Sequence, residues 1–97
     1  MALLADNRAD PRLPVNLDGR LLSVDGRCNL FCVIADLSRS GARVRTRHGA
    51  FIPARVYLRI DKTGDVFDCD RRWSRGNEAG LQFIGRACLA VRRALPP

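Results

Sequence analysis

Asn29-Leu30-Phe31-Cys32-Val33-Ile34-Ala35-Asp36-Leu37-Ser38-Arg39-Ser40-Gly41-Ala42-Arg43-Val44-Arg45-Thr46 reads as strand, turn, strand. The first run is rich in β-branched and aromatic residues, and its strand portion, Cys28 to Ala35, is apolar enough to be buried on both faces. The last run alternates, with Ala42, Val44 and Thr46 on one side and Arg43, Arg45 and Arg47 on the other. Between them lie a carboxylate, two hydroxyls, an arginine and a glycine in the six residues Asp36 to Gly41. Asp and Ser there hydrogen-bond locally and favour a turn. Gly41 offers the chain positive φ and lets a ligand approach closely.

Working outward, Leu13 to Ser23 alternates as a strand, with Val15, Leu17, Gly19 and Leu21 facing one way and Asn16, Asp18 and Arg20 the other. Val24-Asp25-Gly26-Arg27 carries the Asp-Gly pair of a hairpin. Downstream, His48 to Pro53 is a loop, and Arg55 to Ile60 is a strand turning Val56, Leu58 and Ile60 inward. Asp61 to Gly64 is a turn, Asp65 to Ser74 a strand with Trp73, Arg75 to Glu78 a turn, and Ala79 to Ile84 a sixth strand. Short strands at this spacing predict a sandwich or a small closed barrel. From Gly85 to Leu95 the alternation stops. Cys88, Leu89, Val91 and Leu95 share one helical face, Arg92 and Arg93 lie opposite, and Pro96 ends the helix. Residues 1–12 form a polar leader that reads as a flexible arm reaching roughly 40 Å when extended, followed by a single domain over 13–95.

Ninety-seven residues accommodate one domain. The formal charge is +7, and all basic residues but Lys62 are arginine. Arginine forks onto phosphate or guanine and stacks on flat rings, which points to an anionic partner. A genome rich in G and C gives the same bias with no partner at all. Cys28 and Cys32 lack the spacing of a zinc knuckle, and His48 is far from any cysteine pair, so the four cysteines read as small apolar residues and no metal is expected. Ala2 to Ala5 is too short for a secretory signal, and no apolar run approaches the roughly 20 residues of a membrane helix. A soluble, cytoplasmic protein without disulfides is expected.

No Cys/His or Ser/His arrangement and no phosphate-cradling glycine loop is present, so an enzyme is not expected. Binding is the better reading. Arg8 and Arg12 stand four apart in Arg8-Ala9-Asp10-Pro11-Arg12, and each guanidinium can fork onto a phosphate or the O6/N7 edge of guanine. Asp36 can accept from guanine N1–H and N2–H₂, and Ser38 and Ser40 can donate or accept. An acceptor among arginines is odd for a phosphate site. It suits a ligand that is both purine and phosphate.

In these two pieces the chain resembles the PilZ domain family, whose pattern is Arg-x-x-x-Arg followed about two dozen residues later by (Asp/Asn)-x-Ser-x-x-Gly. Trp73-Ser74-Arg75-Gly76 and Gly80-Leu81-Gln82-Phe83 look like that family's closing strands. The resemblance spans about residues 7 to 95. It implies a six-stranded antiparallel β-barrel with a short C-terminal α-helix, and a receptor for the bacterial second messenger cyclic di-GMP with no cofactor. Arg8 and Arg12 would grip guanine edges and phosphates, Asp36 and Ser38 would hold a guanine, and Gly41 would shape the turn. Arg39 and Ser40 fill variable positions of the motif, and Trp73 could line the site or serve the barrel rim. Asn7 stands where some relatives carry a further arginine linked to binding a stacked ligand dimer, which leaves the stoichiometry open. The implied output is control of motility or exopolysaccharide synthesis through an unidentified protein target. Two rival readings are a basic barrel binding nucleic acid non-specifically, and a PilZ-like docking adaptor that has lost its ligand. Aromatics at 6% argue against the former, since stacking platforms would be few.

Overall fold

The computed structural model describes residues 12–96. Six strands are present: β1 (Leu13–Leu22), β2 (Asn29–Leu37), β3 (Gly41–Arg45), β4 (Arg55–Ile60), β5 (Val66–Arg75) and β6 (Glu78–Arg86). All pairings are antiparallel, and the order β1-β2-β3-β6-β5-β4 closes through β1 against β4. Closure removes the exposed sheet edges that would otherwise template pairing with other chains. Of the two architectures left open by strand spacing, the barrel is the one formed, with the helix α1 (Leu89–Ala94) after the last strand. Arg8, Asn7 and most of the expected arm lie outside the described residues. Arg12 is exposed immediately before β1.

The alternation places the core. Leu21, Cys32, Ile34, Val44, Leu58, Cys69 and Ala79 are fully buried inside the barrel, joined by Val56 and Leu81. Three of the four cysteines are buried, and burial pushes the Cys32 and Cys69 thiols up to about 12. A second, smaller cluster of Leu22, Val66 and Leu95, with Tyr57, Ala87 and Val91 against it, joins α1 to the outside of the barrel.

Three local expectations change. The strand through Cys32 is not buried on both faces: Phe31 points outward and is 48% exposed, because only one face of a barrel strand meets the core. The strand β6 runs on to Arg86, shortening the helix to six residues. Pairing of Phe67 with Arg86 and Asp68 with Gly85 holds those residues extended. The helix face foreseen for Cys88 and Leu89 is not packed. Both are exposed, while Val91 and Leu95 alone reach the barrel cluster.

Candidate functional site

The motif turn builds itself. The Ser38 hydroxyl oxygen accepts from Gly41 N–H at 3.1 Å and Ser40 N–H at 3.3 Å, and lies 3.2 Å from the Gly41 carbonyl, to which it can donate. The Ser38 backbone N–H donates to the same carbonyl at 2.9 Å. These bonds give backbone polar groups at the β2–β3 turn the partners that a ladder would otherwise supply. The Ser40 carbonyl then accepts from Phe83 N–H at 2.7 Å, tying the turn to β6.

Gly41 is not in the left-handed region. The glycines with positive φ are Gly26, Gly49, Gly64 and Gly76. Glycine is needed at 41 because β3 and β6 approach closely there: a Cβ would land on the Leu81 carbonyl oxygen. Gly80, facing Trp73 across the β5–β6 ladder, has a parallel reason. A Cβ on Gly80 would occupy the space of the Trp73 indole. Two missing side chains on adjacent strands thus make a shallow floor with an aromatic wall.

Over that floor opens a cleft of about 380 Å³. Arg12, Arg43 and Arg72 bring cations, Ser38 and Ser40 hydroxyls, Gln82 an amide and Trp73 a flat ring. The cleft combines phosphate-pairing guanidinium groups with a surface on which a purine can stack. Of the residues singled out by sequence, it unites Arg12, Ser38, Ser40, Gly41 and Trp73. Trp73 is half-buried and lines the cleft rather than entering the barrel core. Its indole lies 6.0 Å from the Arg75 guanidinium carbon. Arg39 is exposed and outside the cleft lining.

Asp36 stands apart from the lining, at the head of an ion network. Its Oδ2 accepts from Arg43 Nε at 2.6 Å, and Arg43 Nη1 donates to Glu78 Oε2 at 2.6 Å. The same Glu78 oxygen accepts from Arg45 Nε at 3.0 Å. The Asp36 hydrogen bond holds the Arg43 guanidinium pKa above its ordinary value, while the Arg45 hydrogen bond and the charge of Arg43 lower that of Glu78. Arg43 therefore couples Asp36, at 16% side-chain exposure, to the cleft wall.

Arg43, Arg72, Gly80 and Gln82 are cleft residues that motif reading did not single out. Arg43 was accessible in principle, since a turn over 38–41 sets Asp36 opposite Arg43. Arg72 was not: its position depends on the irregularity between Arg71 and Trp73 in β5. Among the described residues, no cluster of His, Cys, Asp or Glu could hold a metal ion. No helix among them is long and apolar enough to cross a membrane.

A family model for the PilZ domain matches residues 6–89. The chain belongs to the PilZ domain family. PilZ domains are a cyclic di-GMP-binding family, and the match takes in both halves of the motif together with all six strands. No curated protein matches the chain closely enough to count as a relative.

Proposed function

We propose that this PilZ domain is a non-catalytic receptor for cyclic di-GMP, bound in the cleft between the motif turn and Trp73. The supporting observation is the meeting of Arg12, from the end of the first motif half, with Ser38 and Ser40 of the second, on a floor kept open by Gly41 and Gly80. Arg8 and Arg12 supply forked donors to phosphate and guanine. Asp36 keeps acceptor capacity beyond its single bond to Arg43, because a carboxylate offers about four lone-pair sites. Ser38 offers its hydroxyl by exchanging its bond to the Gly41 carbonyl. Arg39 and Ser40 border the turn, Asn7 lies beside the first arginine, and Trp73 stacks on a base.

In this reading the arm at residues 1–12 is the moving part. Ligand draws it onto the barrel, and the new surface is read by a downstream protein in motility or exopolysaccharide control. Calorimetric titration with cyclic di-GMP at physiological salt, with GTP as control, tests the reading. Micromolar or tighter binding of the cyclic dinucleotide alone is expected. Arg12→Ala and Arg8→Ala should each weaken it by about 10- to 150-fold, as loss of a bidentate contact does. Unchanged affinity in both variants would remove the arginine pair from the site.

A further inference from the structure

A second concavity lies away from the cleft, between α1 and the outer wall of the barrel. Its volume is about 320 Å³, and it shares no lining residue with the cleft. Val66 and Leu95, over a fully buried Leu22, make an apolar floor, with Leu89 at the side, 59% exposed. Arg59, Arg92 and Arg93 ring that floor, and no carboxylate is among the lining residues.

Part of that charge is offset from nearby. Asp61 lies against Arg59 at 3.5 Å, and Asp65 pairs with Arg86 at 2.8 Å while also acting electrostatically on Arg92, which leaves Arg93 and most of Arg92 to set the sign of the rim. Arg92 spends one donor on the Gly64 carbonyl at 3.3 Å, and Arg59 one on the Pro96 carbonyl at 3.1 Å. Arg92 and Arg93 form no ion pair among the described residues. Both stand exposed beside Leu89.

A six-residue helix has little stability of its own and depends on packing. Here only Val91 and Leu95 reach the barrel cluster, and the opposite edge of the helix presents a leucine with two guanidinium groups. No aromatic ring is among the lining residues, so a base would find no aromatic stacking platform in the groove. The complement of this groove is an apolar side chain flanked by carboxylates.

We infer that the groove beside α1 is a docking site for an acidic segment of a partner protein, anchored by a leucine-like side chain against Leu89 and the edges of Val66 and Leu95, and steered by Arg92 and Arg93. Apolar contact supplies the anchor, and the charges at the rim supply orientation, rate and salt dependence.

The test uses the whole chain and a fluorescein-labelled peptide of two leucines flanked on each side by three glutamates. An otherwise identical peptide with lysines in place of the glutamates is the control. Saturable binding of the glutamate peptide alone is expected, weakening as salt is raised. Reversing both charges, Arg92→Glu with Arg93→Glu, should weaken it about tenfold or more. Leu89→Ser should weaken it severalfold, while Arg75→Glu, elsewhere on the barrel, should leave it unchanged. Leu89 is exposed, so its replacement keeps the fold and serves if the charge reversal does not. No binding of the glutamate peptide overturns the inference, as does equal binding of both peptides. An equal loss in Arg75→Glu overturns it in favour of general electrostatics. Binding to phosphatidylglycerol vesicles without binding to the peptide overturns it in favour of a membrane surface.

Discussion

Gly41 and Gly80 act by what they leave out. Neither adopts positive φ, yet a Cβ at Gly41 meets the Leu81 carbonyl oxygen and one at Gly80 meets the Trp73 indole. The Gly41 obstacle is backbone held in a ladder, so it cannot swing away. Gly41→Ala should cost about 1–3 kcal/mol, as overpacking does, and lower the melting temperature by on the order of 10 °C. An unchanged melt would mean that β3 and β6 part without cost. The Gly80 obstacle is a half-buried side chain outside the barrel core, so Gly80→Ala should leave the fold in place and displace the indole. Trp73 is the sole tryptophan, and its emission reports the change directly. A shifted emission spectrum with weaker cyclic di-GMP binding is expected, and an unaltered spectrum would contradict the packing described here. The motif glycine was legible as a glycine with a purpose. Its purpose was not, because close approach by β6 is a contact about forty residues away in the chain.

The ion network is a property of elements rather than of single residues. Asp36 on β2, Arg43 and Arg45 on β3 and Glu78 on β6 link three adjacent strands across the outer face. Glu78 has its pKa lowered, chiefly by the Arg45 hydrogen bond. A carboxylate with a lowered folded-state pKa stabilises the fold above its ordinary value of 4.5, and that stabilisation is lost as pH falls through the folded value. The melting temperature should therefore hold above pH 4.5 and fall below it. Glu78→Gln should flatten part of that acid limb, and an identical limb in the variant would exclude Glu78 as a contributor. Strand number and order along the chain were readable from alternation and turn residues. The end of β6 and the start of α1 were not, because Gly85 and Arg86 are held extended by their β5 partners against a local pattern that suits a helix.

At the scale of the molecule, the closed barrel separates the cysteines into two populations. Cys28, Cys32 and Cys69 are buried and Cys88 is exposed. A thiol reagent should modify one cysteine rapidly in the folded protein and the other three only on unfolding. Rapid modification of more than one would show an open barrel. Cys32 and Cys69, pushed up from 9.0 to about 12 by burial, stay protonated in the fold at pH values where an unfolded chain ionises them. Their stabilisation is complete below pH 9 and is lost as pH rises towards 12, at up to about 1.4 kcal/mol per pH unit for each thiol. Urea midpoints measured from pH 8 upward should fall more gently in a variant with both replaced by alanine. Equal slopes would show that the thiols do not carry the alkaline loss. The cleft and the α1 groove draw on different residues of the barrel, so the proposed ligand and the proposed partner would not compete for the same side chains.

The amino-acid sequence alone determined which faces of the alternating strands (though not that of β2) turn inward, where the chain turns, and that a paired arginine segment precedes an Asp-x-Ser-x-x-Gly turn. Those features are local: alternation has a period of two, and turn chemistry acts over a few residues. Tertiary structure decided the rest. Pairing of β1 with β4 chose barrel over sandwich, and the irregularity beside Trp73 brought Arg72 to the cleft. The register of β3 on β6 set Gly41 opposite Gln82, against the Leu81 carbonyl, and Arg43 opposite Gly80. These depend on which strands meet and at what offset, and that offset is fixed by packing between distant segments rather than by the residues of either strand alone.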